Sequence, residues 1–478
     1  MRRAALVGGL VLAACTAGPD FHRPPPPATE RYVPGEQPRT ASAGPGDDVQ
    51  RFLGGRDAPP DWWRAFGSSE LDELVAEALR ANPTVAGAQA TLRAARENLA
   101  AQRGVTFPAL ALDAGLTRNK NAVEVLSPTL TSGAPLFNLY TAQVSVSYAL
   151  DLLGGNRRAV EAAAATAEQG RWQLEATYLT VTGNVVTAAI QLAGLDEEIA
   201  AAEHAVAVER DMLRILEAQL KEGAVAGLDV AAQETALAQA EAALPPLGRQ
   251  REATRHLLAV LTGHLPAEAP AAKVRLGALT LPAEVPIGVP SALVTRRPDV
   301  RAAEAALHAA TATVGVNVAN LLPQISLGAS YGSAATTSGA LFRPYTEFWS
   351  AGASLSQALF QGGMLHHRVR AAEAALDAAG AGYRAAVLGA FQNVADALRA
   401  LEGDAATLAA AERASAAAER SLAIVRRQLE LGGASYLGAL SAEQAAAQTS
   451  VALAAARAAR FADTAALFQA LAGPIEAR

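Results

Sequence analysis

Residues 143–151 read Q-V-S-V-S-Y-A-L-D, with apolar and polar side chains in almost strict alternation. A period of two predicts a β-strand that has one apolar and one polar face. Residues 109–117, 324–331 and 349–359 alternate in the same way. Each segment is about 8 to 11 residues long, which suits a strand that crosses a bilayer.

The four segments form two candidate hairpins, whose loops at 118–139 and 332–346 are polar or contain Gly and Pro. Aromatic residues lie near the predicted strand ends, where a membrane barrel carries its aromatic girdle. They are Tyr140, Tyr331, Tyr345, Phe348 and Trp349. A soluble four-stranded sheet would show the same alternation, so the pattern alone leaves both interpretations open.

The segment after the first hairpin lacks proline from 156 to 220 and predicts one long helix. About 65 residues at about 1.5 Å each would span about 100 Å, which is too long for a compact domain. Ile199, Val206, Leu213 and Leu220 are spaced by seven residues, which predicts a left-handed coiled coil. A coiled-coil rod would account for this segment by itself.

Fixed spacings show that the chain is an approximate duplication. N-P-T-V at 82–85 corresponds to R-P-D-V at 297–300, which lies 215 residues later. Gly154 and Gly223 correspond to Gly363 and Gly432, each 209 residues later. Each copy therefore predicts one strand hairpin and one long helical hairpin, and the first copy holds six additional residues in its strand hairpin.

The N-terminus predicts a secreted lipoprotein. Arg2-Arg3, an apolar stretch at 4–14 and then Cys15 match a signal peptide that is too short to span a membrane. Residues 12–15, L-A-A-C, resemble a bacterial lipobox, in which the cysteine is acylated after cleavage. An ordinary signal peptide with a chance cysteine is the alternative. In lipoproteins of this kind Thr16, in place of aspartate, favours the outer membrane.

Composition and motifs exclude several classes of protein. With 51% hydrophobic residues, one cysteine and a net charge of −6, the chain is neither generally disordered nor a disulfide scaffold, and its acidity argues against a nucleic-acid partner. G-x-S-x-G at 328–332 lacks the following helix that a nucleophile elbow requires. The seven histidines show no metal-ligand spacing. We expect no catalysis, no metal and no cofactor besides a covalent lipid on Cys15.

Strands that cross a membrane cannot leave their edges unpaired, because lipid offers no partner for the backbone groups. Four strands are too few to close, since the smallest barrels have about eight. Several chains must therefore contribute. Two would give eight strands, whose interior is filled by side chains, and three would give twelve, which leave room for conduction.

Longer stretches resemble the TolC/OprM-like outer-membrane efflux proteins, specifically the lipid-anchored, NodT-type branch that works with RND pumps. The resemblance covers nearly the whole mature chain. It is carried by C-T-A-G-P-D-F at 15–21, W-W-R-A-F at 62–66, Y-A-L-D-L-L-G at 148–154, G-V-P-S at 288–291 and R-R-P-D-V-R-A-A-E at 296–304. It implies an α+β membrane protein, a homotrimer whose 12-stranded outer-membrane β-barrel takes four strands from each chain and continues into a long periplasmic α-helical coiled-coil tunnel.

The resemblance also implies the divisions of the chain. They are a lipoprotein signal peptide at 1–14, an acylated N-terminus and extended tether at 15–68, a first repeat at 69–263, an equatorial linker at 264–296, a second repeat at 297–474 and a C-terminal tail at 475–478. The repeats hold β-hairpins near 106–152 and 323–360 and long helical hairpins at 156–262 and 364–472. We expect Pro245-Pro246 to break the returning helix of the first repeat.

The turns of the two helical hairpins are implied to form a closed periplasmic tip that meets an adaptor protein. The implied contact residues are Gly223, Ala224, Leu228, Asp229, Gly432, Gly433, Ser435 and Tyr436. Many relatives hold the aperture shut with an aspartate and an arginine, whose positions are taken here by Ser441 and Gln444. The aperture would therefore rely on Leu437, which we expect to form an apolar constriction.

The function that follows is that of an outer-membrane channel in a tripartite efflux system. Small molecules such as drugs would pass from an inner-membrane RND-type pump and a periplasmic adaptor to the exterior, without chemistry. The channel lining would be the polar strand faces, which carry Gln143, Ser145, Ser147, Ser350, Ser354 and Ser356. The alternatives are a TolC-like exit duct for type I protein secretion with an ABC pump and a non-conducting coiled-coil scaffold lipoprotein of the envelope.

Overall fold

The computed structural model describes residues 16–35, 39–42, 49–120, 136–269 and 273–475. Cys15 and the predicted signal peptide lie outside the described residues. The strands in chain order are β1 (Thr40–Ala41), β2 (Gln50–Gly54), β3 (Ala109–Lys120), β4 (Leu136–Leu150), β5 (Glu284–Ile287), β6 (Gln324–Ala335) and β7 (Glu347–Ser356). The helices are α1 (Ser69–Ala81), α2 (Pro83–Gly104), α3 (Gly155–Lys221), α4 (Gly227–Leu261), α5 (Pro290–Arg296), α6 (Pro298–Ala319), α7 (Met364–Glu430) and α8 (Tyr436–Leu471).

The chain divides into two compact units. The sheet unit consists of residues up to 24, 92–170 and 303–383, and the helical unit consists of 25–91, 171–302 and 384 onward. Each of the helices α3 and α7 has residues in both units.

The sheet unit is built on four antiparallel strands in the order β3-β4-β6-β7. These strands coincide with the four segments whose side chains alternate in the sequence. The first repeat supplies β3 and β4, and the second supplies β6 and β7. Pairing of β4 with β6 joins the two repeats into one sheet.

The long helices of the two repeats are equivalent. Both α3 and α7 have 67 residues, and they begin and end 209 positions apart. Among the described residues, α3 alone is long and apolar enough to cross a membrane by length and composition, but 78% of its most apolar window is buried in the protein. The hydrophobicity of α3 is therefore that of a core helix.

The predicted break at Pro245-Pro246 is wrong, because α4 runs without interruption through both prolines. The prolines lack the N–H groups that would bond to the carbonyls of Glu241 and Ala242. Both of those residues are exposed, so water can satisfy the two carbonyls. The helix thus loses two hydrogen bonds without burying an unpaired group.

The predicted tether at 15–68 is more structured than its composition indicated. The segment β1-β2 joins β5 of the predicted linker in a three-stranded sheet, in which β2 and β5 are parallel. A short 3-10 helix at Trp62–Phe66 buries Trp62 and Phe66 against Phe468, with ring centroids 5.9 and 6.4 Å apart. Composition showed only that the segment cannot fold alone. In the structure it pairs and packs with residues that are distant in sequence.

A buried arginine holds this sheet against α7 and α8. The side chain of Arg460 is fully buried and donates to the carbonyl oxygens of Ala41, at 2.8 Å, and of Leu401, at 3.3 Å. Beside it, Asp404 shares a hydrogen bond with Asp463, and burial together with that second carboxyl raises the pKa of Asp404 to about 7. Because an unfolded chain releases this proton near pH 4, the free energy of unfolding should fall as the pH rises from about 4 to about 7.

We predict that Asp404→Asn raises the midpoint of thermal unfolding by a few degrees at pH 8 and changes it little at pH 4, measured on the detergent-solubilised protein. The amide removes the cost of burying a charge, which exists only above the raised pKa. Asp463→Asn should act in the same direction, and the double variant should add little, because the Asp463 carboxyl is itself one cause of the raised pKa of Asp404. Equal shifts at both pH values would contradict this account.

Candidate functional site

One face of the four-stranded sheet is apolar and exposed. Directly opposed residues of antiparallel strands share a face, and the pairing sets Leu110 opposite Val146 and Tyr331 opposite Trp349. The exposed large residues on this apolar face are Leu110, Leu112, Leu116, Leu136, Val144, Val146, Leu327, Tyr331, Trp349 and Leu355. Phe348, expected in an aromatic girdle, pairs with Gly332 and belongs to the opposite face.

The opposite, polar face carries small hydroxyl side chains in pairs. Ser326 Oγ lies 2.7 Å from Ser354 Oγ, and Ser330 Oγ lies 2.9 Å from Ser350 Oγ. Ser145 Oγ donates to Asp113 Oδ2 at 3.3 Å. Ser330, the serine of the G-x-S-x-G sequence, thus lies within strand β6 rather than at a strand-to-helix elbow.

The sheet has two open edges. Among the described residues, no strand pairs with the outer edge of β3 or with the outer edge of β7. These edges are 12 and 10 residues long, so both present a row of backbone N–H and C=O groups to a further strand. The sheet therefore has both an exposed apolar face and two edges at which further strands could pair.

The turns of the helical hairpins end in the same way in both repeats. Gly223 and Gly432 have φ angles of +71° and +74°, which favour glycine. At the first turn Ala224 N–H donates to the carbonyl of Gln219, and at the second Gly433 N–H donates to that of Gln428, both at 2.8 Å. This is the Schellman pattern.

The returning helices begin with different caps. The backbone N–H of Ala226 donates to Asp229 Oδ2 at 3.1 Å, and Ser435 Oγ accepts from Gly438 N–H at 3.2 Å. Leu228 and Leu437 are 79% and 61% exposed at equivalent positions. Each turn of the helical unit therefore exposes a leucine at this position, and the second turn exposes Leu431 as well, at 70%.

Of the expected aperture residues, Leu437 and Ser441 are exposed and Gln444 is half-buried. The structure instead brings together polar residues from all four long helices, which we call the tip cluster: Glu209, Gln233, Arg426, Tyr436 and Glu443. Gln233 Nε2 donates to Glu209 Oε2 at 2.5 Å, and Arg426 Nη2 lies 3.4 Å from Glu443 Oε1.

The tip cluster is unusual in burying carboxylates. Glu209 and Glu443 are both about nine-tenths buried or more. Burial raises the pKa of Glu443, which Arg426 lowers and Glu209 raises further. Burial likewise raises the pKa of the Tyr436 hydroxyl, reinforced by the charges of Glu443, Glu209 and Asp229.

Of the tip cluster, only Tyr436 was predicted from the sequence. One signal was available, because Glu209 occupies the seam position between Ala202 and Leu216, seven residues from each, and all three are buried. A lone acid at an inward heptad position predicts a buried polar partner. The partners themselves come from three other helices and leave no such trace in the sequence.

Comparison with known proteins gives three concordant results. The sequence profile of the family described as "Outer membrane efflux protein" matches residues 74–264 and 289–473. The pyoverdine export outer membrane protein OpmQ of Pseudomonas putida KT2440 is 32% identical over 356 residues, which cover 72% of this chain and 74% of OpmQ. The toluene efflux pump outer membrane protein TtgI, from another strain of Pseudomonas putida, is 28% identical over 445 residues, which cover 91% of this chain and 90% of TtgI.

The fold matches a solved channel over almost its whole length. The outer-membrane channel OprN superposes with a TM-score of 0.84 at 29% identity, covering 96% of this chain and 100% of OprN. The fold of this chain is therefore the fold of OprN over nearly its whole described length.

The tip cluster yields a prediction with a matched control. Arg426 pairs with a carboxylate that is 2% exposed, whereas the adjacent Arg427 pairs with Glu430, which is 63% exposed. Arg426→Met should leave Glu443 uncompensated and raise amide hydrogen exchange over 436–443 roughly tenfold or more. Arg427→Met should change it by less than about threefold.

A second substitution checks the cause. Adding Glu443→Gln to Arg426→Met removes the unpaired charge and should restore slow exchange. Equal exchange rates in Arg426→Met and Arg427→Met would show that the buried ion pair does not stabilise the tip. Faster exchange in the double variant than in Arg426→Met would show the same.

Proposed function

Because this chain belongs to the outer membrane efflux protein family, we propose that it is the outer-membrane channel of a tripartite efflux system, conducting small molecules passively to the exterior. The observation that carries the proposal is the four-stranded sheet, which has an exposed apolar face and two open edges. Relatives named for the export of pyoverdine and toluene support a small-molecule cargo.

Closure of the sheet calls for three copies. Three copies supply twelve strands around a threefold axis, with the apolar face toward lipid and the polar face toward water. The paired serines of the polar face would then line the channel. No further strand is needed, since β7 of one copy meets β3 of the next.

The register within one chain constrains the register between chains. The residues in line with Ala109 across the sheet are Ser147, Gly328 and Gly352. Beyond this line β3 continues for eleven residues to Lys120, but β7 continues for only five to Glu347. In the other direction β7 continues for four residues to Ser356, whereas β3 ends at the line.

This line of paired residues crosses β3 at its first residue but crosses β7 close to its midpoint. Its position relative to the strand midpoint therefore changes by about five residues over the three steps from β3 to β7. A fourth step, to the next copy, extends this change to between about six and seven. Matching faces require an even offset, which gives six. With about 3.3 Å per residue and about 4.8 Å between strands, this offset tilts the strands by about 46°, close to the usual range for membrane barrels.

An offset of six places Gly352 opposite Gly115 of the neighbouring copy, and Ala353 opposite its Ala114. The first pair belongs to the polar face and the second to the apolar face, so both faces continue around the barrel. The open edges then pair fully over the membrane-spanning part.

The helical turns are the proposed contact with the periplasmic adaptor, which would connect the channel to an inner-membrane RND-type pump. The exposed Leu228, together with the glycine turns, offers an apolar and closely approachable surface to the adaptor. Leu437, repeated three times around the axis, would form the apolar constriction. Cys15 would carry the lipid that anchors the N-terminus to the outer membrane.

The proposed function is tested by the mass of the protein extracted from outer membranes, corrected for detergent by light scattering. We expect three times the mass of the mature chain, and we expect deletion of the gene to sensitise cells to exported small molecules. Release of a monomer without detergent would overturn the channel in favour of a tethered scaffold.

The register is tested separately by cysteine pairing. Opposed residues have Cα atoms about 4.5 to 5.5 Å apart, within disulfide range, while a shift of two residues exceeds it. Ala353→Cys combined with Ala114→Cys should give covalent trimers under oxidation. The same Ala353→Cys combined with Leu112→Cys or Leu116→Cys should give few. Preferential cross-linking in either of the latter pairs would replace the offset of six with four or eight.

A further inference from the structure

The residues that follow Cys15 bind to a groove in the sheet unit, where Arg158 lies at the centre. The side chain of Arg158 is only 5% exposed. It donates to four groups: Thr16 Oγ1 at 3.3 Å, the carbonyl oxygen of Ala17 at 3.1 Å, Asp20 Oδ1 at 2.5 Å and Glu161 Oε2 at 2.8 Å. Three of the four acceptors belong to the N-terminal peptide. A buried guanidinium that binds a peptide through several hydrogen bonds is a recognition contact rather than a surface ion pair.

Glycines let the two backbones meet. Gly18 has a φ of +81° and lies directly against Gly315 of α6, where a side chain on Gly18 would collide with the Gly315 backbone. A Cβ on Gly315 would lie 2.8 Å from the carbonyl oxygen of Ala17. The N–H of Ala17 donates to the carbonyl of Leu153 at 3.0 Å. The peptide is thus paired by its main chain at the junction between β4 and α3.

The far end of the peptide is held by other side chains of the groove. Phe21 stacks on His308, with ring centroids 4.4 Å apart and planes 17° from parallel. His308 Nε2 lies 2.9 Å from Glu161 Oε1, so Glu161 links the stacked histidine to Arg158. Arg23 Nε donates to Glu304 Oε1 at 2.7 Å. The contacts therefore extend over eight residues, from Thr16 to Arg23.

The second repeat provides an internal comparison. The positions equivalent to Arg158 and Gly315 are His367 and Ala100, so both the central donor and the glycine clearance are missing. The equivalent strand-to-helix junction exposes Leu359 and Phe360 almost completely. The groove combines Arg158 of the first repeat with His308 and Gly315 of the second, and it is not a general consequence of the fold.

We propose that this groove, formed by Leu153, Gly154, Arg158, Glu161, His308 and Gly315, is a binding site for the chain's own N-terminal peptide, residues 16–23. It holds Thr16 and Ala17, which directly follow Cys15 in the sequence, beside the β4–α3 junction whether or not a lipid is attached. The proposal rests on the proposed function insofar as Cys15 carries the lipid. Two acyl chains on a free tether would fix only the distance from the bilayer, whereas the groove also fixes the position around the barrel.

Cleavage by chymotrypsin after Phe21 tests the proposal, with the released N-terminal peptide detected by mass spectrometry. The stacked ring should be protected in the purified protein. Asp20→Asn, whose side chain belongs to the peptide and is 71% exposed, should raise the cleavage rate at least about tenfold, and so should Arg158→Gln. His367→Gln, at the position equivalent to Arg158, should leave the rate unchanged. Asp20→Asn changes only the peptide and leaves every groove residue in place. The test therefore remains valid even if Arg158→Gln fails to fold.

The role of the lipid is separated by replacing residues 1–15 with a leader that signal peptidase I removes. The resulting unacylated chain should protect Phe21 as well as the acylated protein does. Rapid cleavage of the unacylated chain, or equal rates in Asp20→Asn, Arg158→Gln and the unaltered chain, would overturn the proposal. Failure to incorporate labelled palmitate would instead contradict the lipid on Cys15 and leave the cleavage comparison valid.

Discussion

The rest of the structure depends on the rule that a backbone hydrogen-bonding group cannot remain unpaired in lipid. The sheet β3-β4-β6-β7 satisfies that rule internally but not at its two outer edges. The family, the exposed apolar face and the open edges are therefore three observations with one explanation, a sheet that needs further strands at its edges. In the proposed trimer each chain supplies a third of the barrel wall, and other copies pair its two outer edges.

Duplication supplies the strands and helices in pairs, and function departs from it at particular residues. The 67-residue helices begin and end at equivalent positions, and their glycine turns close with the same hydrogen bonds. The N-terminal groove and the tip cluster break the equivalence, because Arg158 corresponds to His367 in the other repeat and Glu209 corresponds to Ala418. Shared residues thus build the equivalent helices and turns, and the groove and the tip cluster depend on residues that the other repeat lacks.

Sequence periodicity predicted the parts of the fold that local patterns determine. The four strands and the glycine turns follow from alternation and heptads, which a window of ten to twenty residues reveals. The parallel pairing of β2 with β5 escaped prediction because it joins segments more than 200 residues apart. The prediction of a break at the prolines of α4 was wrong because a helix can continue when the hydrogen bonds it loses lie on its exposed side. At the tip, the turn residues were predicted, but Arg426, Gln233 and Glu443 meet only after four helices have packed, and no single segment encodes that meeting.

The two open edges also bear on inheritance. In the proposed ring of three, every copy contributes both edges, so one chain with a damaged β3 or β7 disrupts the ring that includes it. A cell that makes intact and damaged chains in equal amounts, with random mixing, would assemble only about one wholly intact ring in eight. A lesion at an edge would therefore behave as a dominant allele, whereas a lesion that prevents the chain from folding would be recessive, since such a chain never reaches a ring.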